Sequence, residues 1–161
     1  MPRRSGHAAR SGLDGLLAVS STNSAIESES RAKGGQGEMG SALAKIYVVL
    51  SGAILVVVGV VGFFRHEMFN LTFPPAHNVF HLVSGAIGLW AGLGKSANGV
   101  RRFGLMFGAI YTLVAIAGFA GMRDLGPIQL DLNTHFNFIH LGVGLLSLAA
   151  GVAGAKPAVT Q

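Results

Sequence analysis

Four stretches of the chain, 46–64, 76–94, 103–122 and 136–155, contain no Asp, Glu, Lys or Arg. Crossing about 30 Å of hydrocarbon takes a helix of roughly 20 such residues. A helix also satisfies every backbone N–H and C=O within its own segment, which lipid demands. Strands of a membrane barrel would be shorter and would alternate polar with apolar positions, and none of the four does. The pattern predicts an all-α integral membrane protein, a bundle of four transmembrane helices. Composition agrees: charged residues make up 12% of the chain, against roughly 25% in soluble domains. The 24 glycines suit membrane helices, where small residues let backbones approach closely. Ser84, Gly88 and Gly92, then Ser147, Gly151 and Ala155, form stripes at spacing four, and Gly104 and Gly108 begin another. Packing within the bundle is their expected use, with homo-oligomerisation, or contact within a larger membrane complex, as the alternative.

The segments outside the spans set the expected boundaries. Residues 1–38 are rich in Ser, Gly, Ala and Arg and hold no aromatic residue, so a disordered N-terminal tail, 1–40 at its widest, is expected ahead of a membrane domain over 43–155. Asp14 and Gly15 interrupt the only apolar run that could serve as a secretory h-region, and Glu27, Glu29 and Glu38 do not suit a transit peptide. A natural start at Met39 would make the tail an upstream reading; the intact mass of the native protein tests that. Residues 156–161 form the C-terminal tail. Lys45, Lys95, Arg101, Arg102 and Lys156 flank one side of the spans, against Arg65 and Arg123 on the other. The positive-inside rule then places both termini in the cytoplasm, in a bacterial cytoplasmic membrane or its equivalent. The net charge of +5 is accounted for by these loops facing anionic lipid, so the bilayer, not nucleic acid, is the expected partner.

The two halves repeat. Gly52-Ala53-Ile54 matches Gly108-Ala109-Ile110 and Gly62-Phe63 matches Gly118-Phe119, an offset of 56. Asn78-x-x-His81-Leu82 matches Asn137-x-x-His140-Leu141, and Gly85, Leu89 and Gly92 match Gly144, Leu148 and Gly151, an offset of 59. Two tandem two-helix units inserted the same way up give a pseudo-twofold axis along the membrane normal. His81 and His140 then lie at one depth, near the outer face.

The Asn-x-x-His-Leu strings near the starts of the second and fourth spans, with Phe107-Gly108-x-x-Tyr111 in the third, resemble a bacterial four-helix membrane family known as domain of unknown function 4383. The resemblance covers about residues 43–154. It implies the architecture and no activity.

Chemistry must therefore be sought residue by residue. There is no cysteine, which excludes disulfides, thiolate metal sites and iron–sulfur clusters. The absence of ionised residues from the spans argues against a proton pump or a carrier of charged substrates. No catalytic constellation is present, and no enzymatic role is expected. What remains is Asn78, His81, Asn137 and His140, with Ser51, Ser84, Thr112 and Ser147. Positions three or four apart share a helix face, so His77 and Asn78 join His81, whereas His135 is about 140° round from His140 at 100° per residue. The leading expectation is a structural or accessory membrane protein whose Asn/His pairs bond across the second and fourth helices. A second is ligation of a b-type haem or chlorophyll by His81 and His140, oriented by Asn78 and Asn137, with loop residues Arg65 and Arg123 available to haem propionates. A third is a mononuclear zinc or copper site on His77, His81 and His140. A small-molecule channel or carrier is the fourth.

Overall fold

The computed structural model describes residues 6–68, 71–94, 96 and 98–154, and of residues 6–18 and 68 the backbone alone. Lys95 and the segment from 155 onward, which includes Ala155 and Lys156, lie outside the described residues. The chain divides into two units, Met1–Glu38 and Met39–Gln161. In order come α1 (Gly6–Phe64), the two-residue strands β1 (Glu67–Met68) and β2 (Leu71–Thr72), α2 (Pro75–Leu93), α3 (Gly99–Phe119) and α4 (Thr134–Ala153).

In the first unit, residues 6–38 are helical, where the composition led to an expectation of disorder. No proline interrupts the chain between Pro2 and Pro74, and side chains from Val19 to Gln36 are exposed. The helix here is held by local terms, such as the Lys33–Glu29 pair one turn apart at 2.6 Å. The unit boundary after Glu38 coincides with the change of composition at Met39.

The second unit is a four-helix bundle. Against the expected limits, α2 begins and ends one residue earlier. The helix α3 starts four residues earlier and stops at Phe119, because Gly121 adopts a left-handed φ of 92°. Pro75 opens α2 at a position where its missing N–H is no loss, and the Asn133 side chain caps α4 by accepting from the Phe136 N–H at 3.0 Å.

Glycines set how the helices meet. A Cβ on Gly52 would lie 2.9 Å from the Leu89 nitrogen and 3.0 Å from the Gly85 carbonyl oxygen, so α1 and α2 touch backbone to backbone. A Cβ on Gly108 would lie 2.7 Å from the Leu148 nitrogen and 2.8 Å from the Gly144 oxygen, and α3 meets α4 in the same way. Across the other two faces, the Tyr47 hydroxyl of α1 reaches Ser147 Oγ of α4 at 2.9 Å, and the Phe103 ring of α3 lies over Gly88 of α2. Val48, Ala91 and the ladder Phe103–Phe107–Tyr111, with successive rings 4.8 and 4.0 Å apart, fill the centre.

The distribution of polarity is inverted relative to a soluble bundle. Ile46, Leu50, Ile54, Ile87, Ile110, Leu113, Ile116, Leu145 and Leu146 are exposed, while Asn78, His81, Asn137, His140 and Ser147 are buried. An apolar exterior around a polar, small-residue interior is what lipid solvent selects. Among the described residues, three helices are long and apolar enough to cross a membrane: α1, within Val19–Phe64, α3 and α4. The helix α2 has the length but falls short on hydropathy, because Pro75, His77, Asn78 and His81 crowd its first two turns. The protein is an integral membrane protein on this evidence.

Candidate metal centre

The first turns of α2 and α4 lie at one end of the bundle, together with the loops that precede them. On α2, His77 and His81 are one turn apart and present their rings to the same side, 4.5 Å between centroids. From α4, His140 reaches the pair, its ring 5.7 Å from that of His77. All three are buried, and one ring nitrogen from each lies within 4.8 Å of the others. The surrounding walls are aromatic. Phe136 stacks on His140 at 5.9 Å and 12°, Phe73 meets Phe136 edge-on at 5.4 Å, and Tyr111 meets His140 edge-on at 5.2 Å.

Hydrogen bonding divides the three rings. His77 Nδ1 is 3.0 Å from the Leu130 carbonyl oxygen. A carbonyl only accepts, so Nδ1 carries the proton and Nε2 is left with its lone pair free. His81 Nδ1 and His140 Nδ1 are buried without any partner. Leaving a buried polar atom unpaired costs about 1–3 kcal/mol, and here two of the three rings each carry one.

Leu130 is held by the loop between α3 and α4. Asp124 Oδ1 accepts from the Leu130 N–H at 2.8 Å and the Asp131 N–H at 3.1 Å. Arg123 pairs with Asp131, the Leu132 N–H donates to the Arg123 carbonyl at 2.8 Å, and Leu125 bridges Ile128 around Gly126. The two backbone donors, from Asp131 first and then Leu130, hold the Asp124 carboxyl below its ordinary pKa, with Arg123 adding to the effect. Beneath this loop a cavity of about 120 Å³ is lined by the three histidines, Tyr111, Ser84 and apolar side chains that include Phe80, Ile110 and Val114.

The asparagines are elsewhere. Asn78 packs against Gly62 of α1, where a Cβ would collide with its Oδ1, and its Nδ2 donates to the Phe73 carbonyl at 3.2 Å. Asn137 packs in the same way against Gly118 of α3. The expected bonding of Asn to His across α2 and α4 is therefore replaced by Asn-on-Gly contacts within each pair of consecutive helices. His135, on another face of α4 from His140, is exposed. The cavity beside the histidines is smaller than the roughly 300 Å³ where ligand pockets begin, which does not favour the haem or chlorophyll reading on His81 and His140. Arg123, one of the two arginines considered for propionates, is already engaged by Asp131. Sequence reasoning missed Leu130 and gave Tyr111 no role at the site. The Leu130 contact spans 53 positions and leaves no periodic trace.

A model of the family described as "Domain of unknown function (DUF4383)" matches residues 45–153. No curated protein and no solved structure was found to match the chain.

Proposed function

Since the chain belongs to the family described as domain of unknown function 4383, which carries no activity to transfer, we propose a function from the site itself: a membrane protein that holds one transition-metal ion on His77, His81 and His140. The observation that carries this is the pair of buried, partnerless Nδ1 atoms beside a third histidine whose tautomer is already set. A structural histidine needs a hydrogen-bond partner, and His81 and His140 have none. Metal–nitrogen bonds of about 2.0–2.1 Å put ligand nitrogens roughly 3.3 Å apart, and one nitrogen of each ring already lies within 4.8 Å of the others. The carbonyl of Leu130 supplies the outer partner that ligating histidines usually have. The structural part of the sequence reading passes to Asn78 and Asn137, which lock α2 onto α1 and α4 onto α3.

The two-unit organisation supports placing this centre between repeats. Gly52 on Gly85 and Leu89 corresponds to Gly108 on Gly144 and Leu148, and Gly62 on Asn78 to Gly118 on Asn137, at the offsets of 56 and 59. The position equivalent to His77 is Phe136 (77 plus 59), so the third ligand belongs to one unit alone. In the orientation favoured by Lys45, Arg101 and Arg102, both termini are cytoplasmic and the centre lies toward the outer face.

Metal analysis of the detergent-purified protein tests the proposal. Metal-loaded protein should retain close to one equivalent, His81→Gln and His140→Gln should lose it, and His135→Gln should not. Wild-type protein that stays metal-free after exposure to zinc, copper, nickel and cobalt overturns it.

A further inference from the structure

The donor set says which metal. All three ligands are neutral imidazoles, and no carboxylate joins them among the described residues. Asp131, next to Leu130 in the chain, is paired with Arg123 in the loop. Asp124 is occupied by two backbone N–H groups. The walls are Phe73, Phe136 and Tyr111. An ion entering such a site keeps its full charge in a medium of low dielectric. The Born penalty rises with the square of the charge, so a divalent ion bears four times the penalty of a monovalent one, on a scale of tens of kcal/mol before relaxation. Imidazole suits zinc, copper, iron and nickel, and of these copper has a stable monovalent state.

The space says what the metal leaves open. Three histidines leave a fourth position vacant in a tetrahedral metal, the arrangement found where a metal takes an exogenous ligand. Here the cavity of about 120 Å³ adjoins the three rings. Its wall between α2 and α3 includes Phe80 and Ile110, both about half exposed on the lipid-facing surface. Its polar side chains beyond the histidines are Ser84 and Tyr111. The rest of the lining is apolar, and Phe80 and Ile110 belong both to it and to the outer surface of the bundle.

We infer that the three-histidine centre binds cuprous copper in a three-coordinate site whose fourth position takes a small neutral diatomic ligand arriving from the lipid. The inference rests on the metal-centre reading above. Two measurements on the full-length protein in detergent test it. Anaerobic competition against a chromogenic cuprous chelator, beside a zinc titration, should give a preference for Cu(I) over Zn(II) of about 100-fold or more, which is about 2.7 kcal/mol. Carbon monoxide added to the Cu(I) protein should give a single metal-carbonyl infrared band. That band should vanish in Val114→Phe, which fills the cavity, while copper binding is retained. Zinc binding as tight as Cu(I) overturns the inference and leaves the metal centre standing. Copper binding without a carbonyl band overturns the open position. Failure of every metal to bind overturns the centre itself. Loss of the band in Val114→Phe together with loss of copper would mean that the substitution disrupts the ligands, and Ile110→Phe, filling the same cavity from the lipid side, then decides: a band that persists there overturns the lipid route.

Discussion

At the scale of single residues, the two asparagines behave as keys fitted into glycine locks. A methyl group on Gly62 would collide with the Asn78 amide, and one on Gly118 with that of Asn137. Gly62→Ala should therefore lower stability by about 1–3 kcal/mol, the range for overpacking a filled interior. Thermal melting in detergent would register this as a fall in Tm. Gly62→Ala combined with Asn78→Ala should recover part of the loss, since one substitution vacates the space that the other occupies. Full additivity of the two losses would argue against the contact. The same residues show where sequence reasoning reaches its limit. The histidine triad was legible: His77 and His81 are one turn apart, and the repeat aligns His81 with His140. The asparagine partners were not. Asn78 is three positions before His81, which puts it about 60° round the helix. That angle is enough to aim one side chain at α1 and the other at α4, and spacing alone does not say how far the helix is rotated about its axis.

At the scale of elements, the loop between α3 and α4 is the part of the site that the sequence concealed. Its role rests on one carboxylate that accepts from two backbone N–H groups and so fixes the carbonyl to which His77 donates. Because the folded-state pKa of Asp124 is depressed, its contribution is complete above the unfolded value, about 3.9, and is lost as pH falls through the lower folded value. Hydrogen exchange at the Leu130 and Asp131 amides should thus stay slow down to mildly acidic pH and accelerate only under strong acid. Asp124→Ala should accelerate it at neutral pH. It should also weaken metal binding by about 10–100-fold, the usual consequence of losing a ligand's outer partner. Unchanged affinity in that variant would disconnect the loop from the centre. Helix existence and type in the bundle could be read from charge-free length. The helix over residues 6–38 could not, since from Val19 to Gln36 its side chains are exposed, and local pairs such as Lys33 with Glu29 are not resolved from coil by composition.

At the scale of the whole molecule, the correspondence between halves extends to places where the residues differ. Tyr47 of α1 bonds Ser147 of α4; at the same offsets, Phe103 of α3 lies over Gly88 of α2. One of these two contacts between the halves uses a hydroxyl pair and the other a ring seated where a side chain is missing, yet the helices meet in equivalent positions. Such an arrangement requires α2 and α4 to insert the same way up. The helix α2 is the one whose hydropathy is lowered by its own histidines and asparagine, so it is the crossing most in need of a test. The chain contains no cysteine, and a single introduced thiol is therefore a unique probe. Glu67→Cys and Gln129→Cys, exposed in the two loops at the histidine end, should both react with a membrane-impermeant maleimide in intact cells. Ser96→Cys, exposed between α2 and α3, should react only after permeabilisation. The reverse pattern would invert the orientation and keep the repeat. Labelling of Glu67→Cys and Ser96→Cys from the same side would mean that α2 does not cross, and the metal centre would lose two of its three ligands to another location.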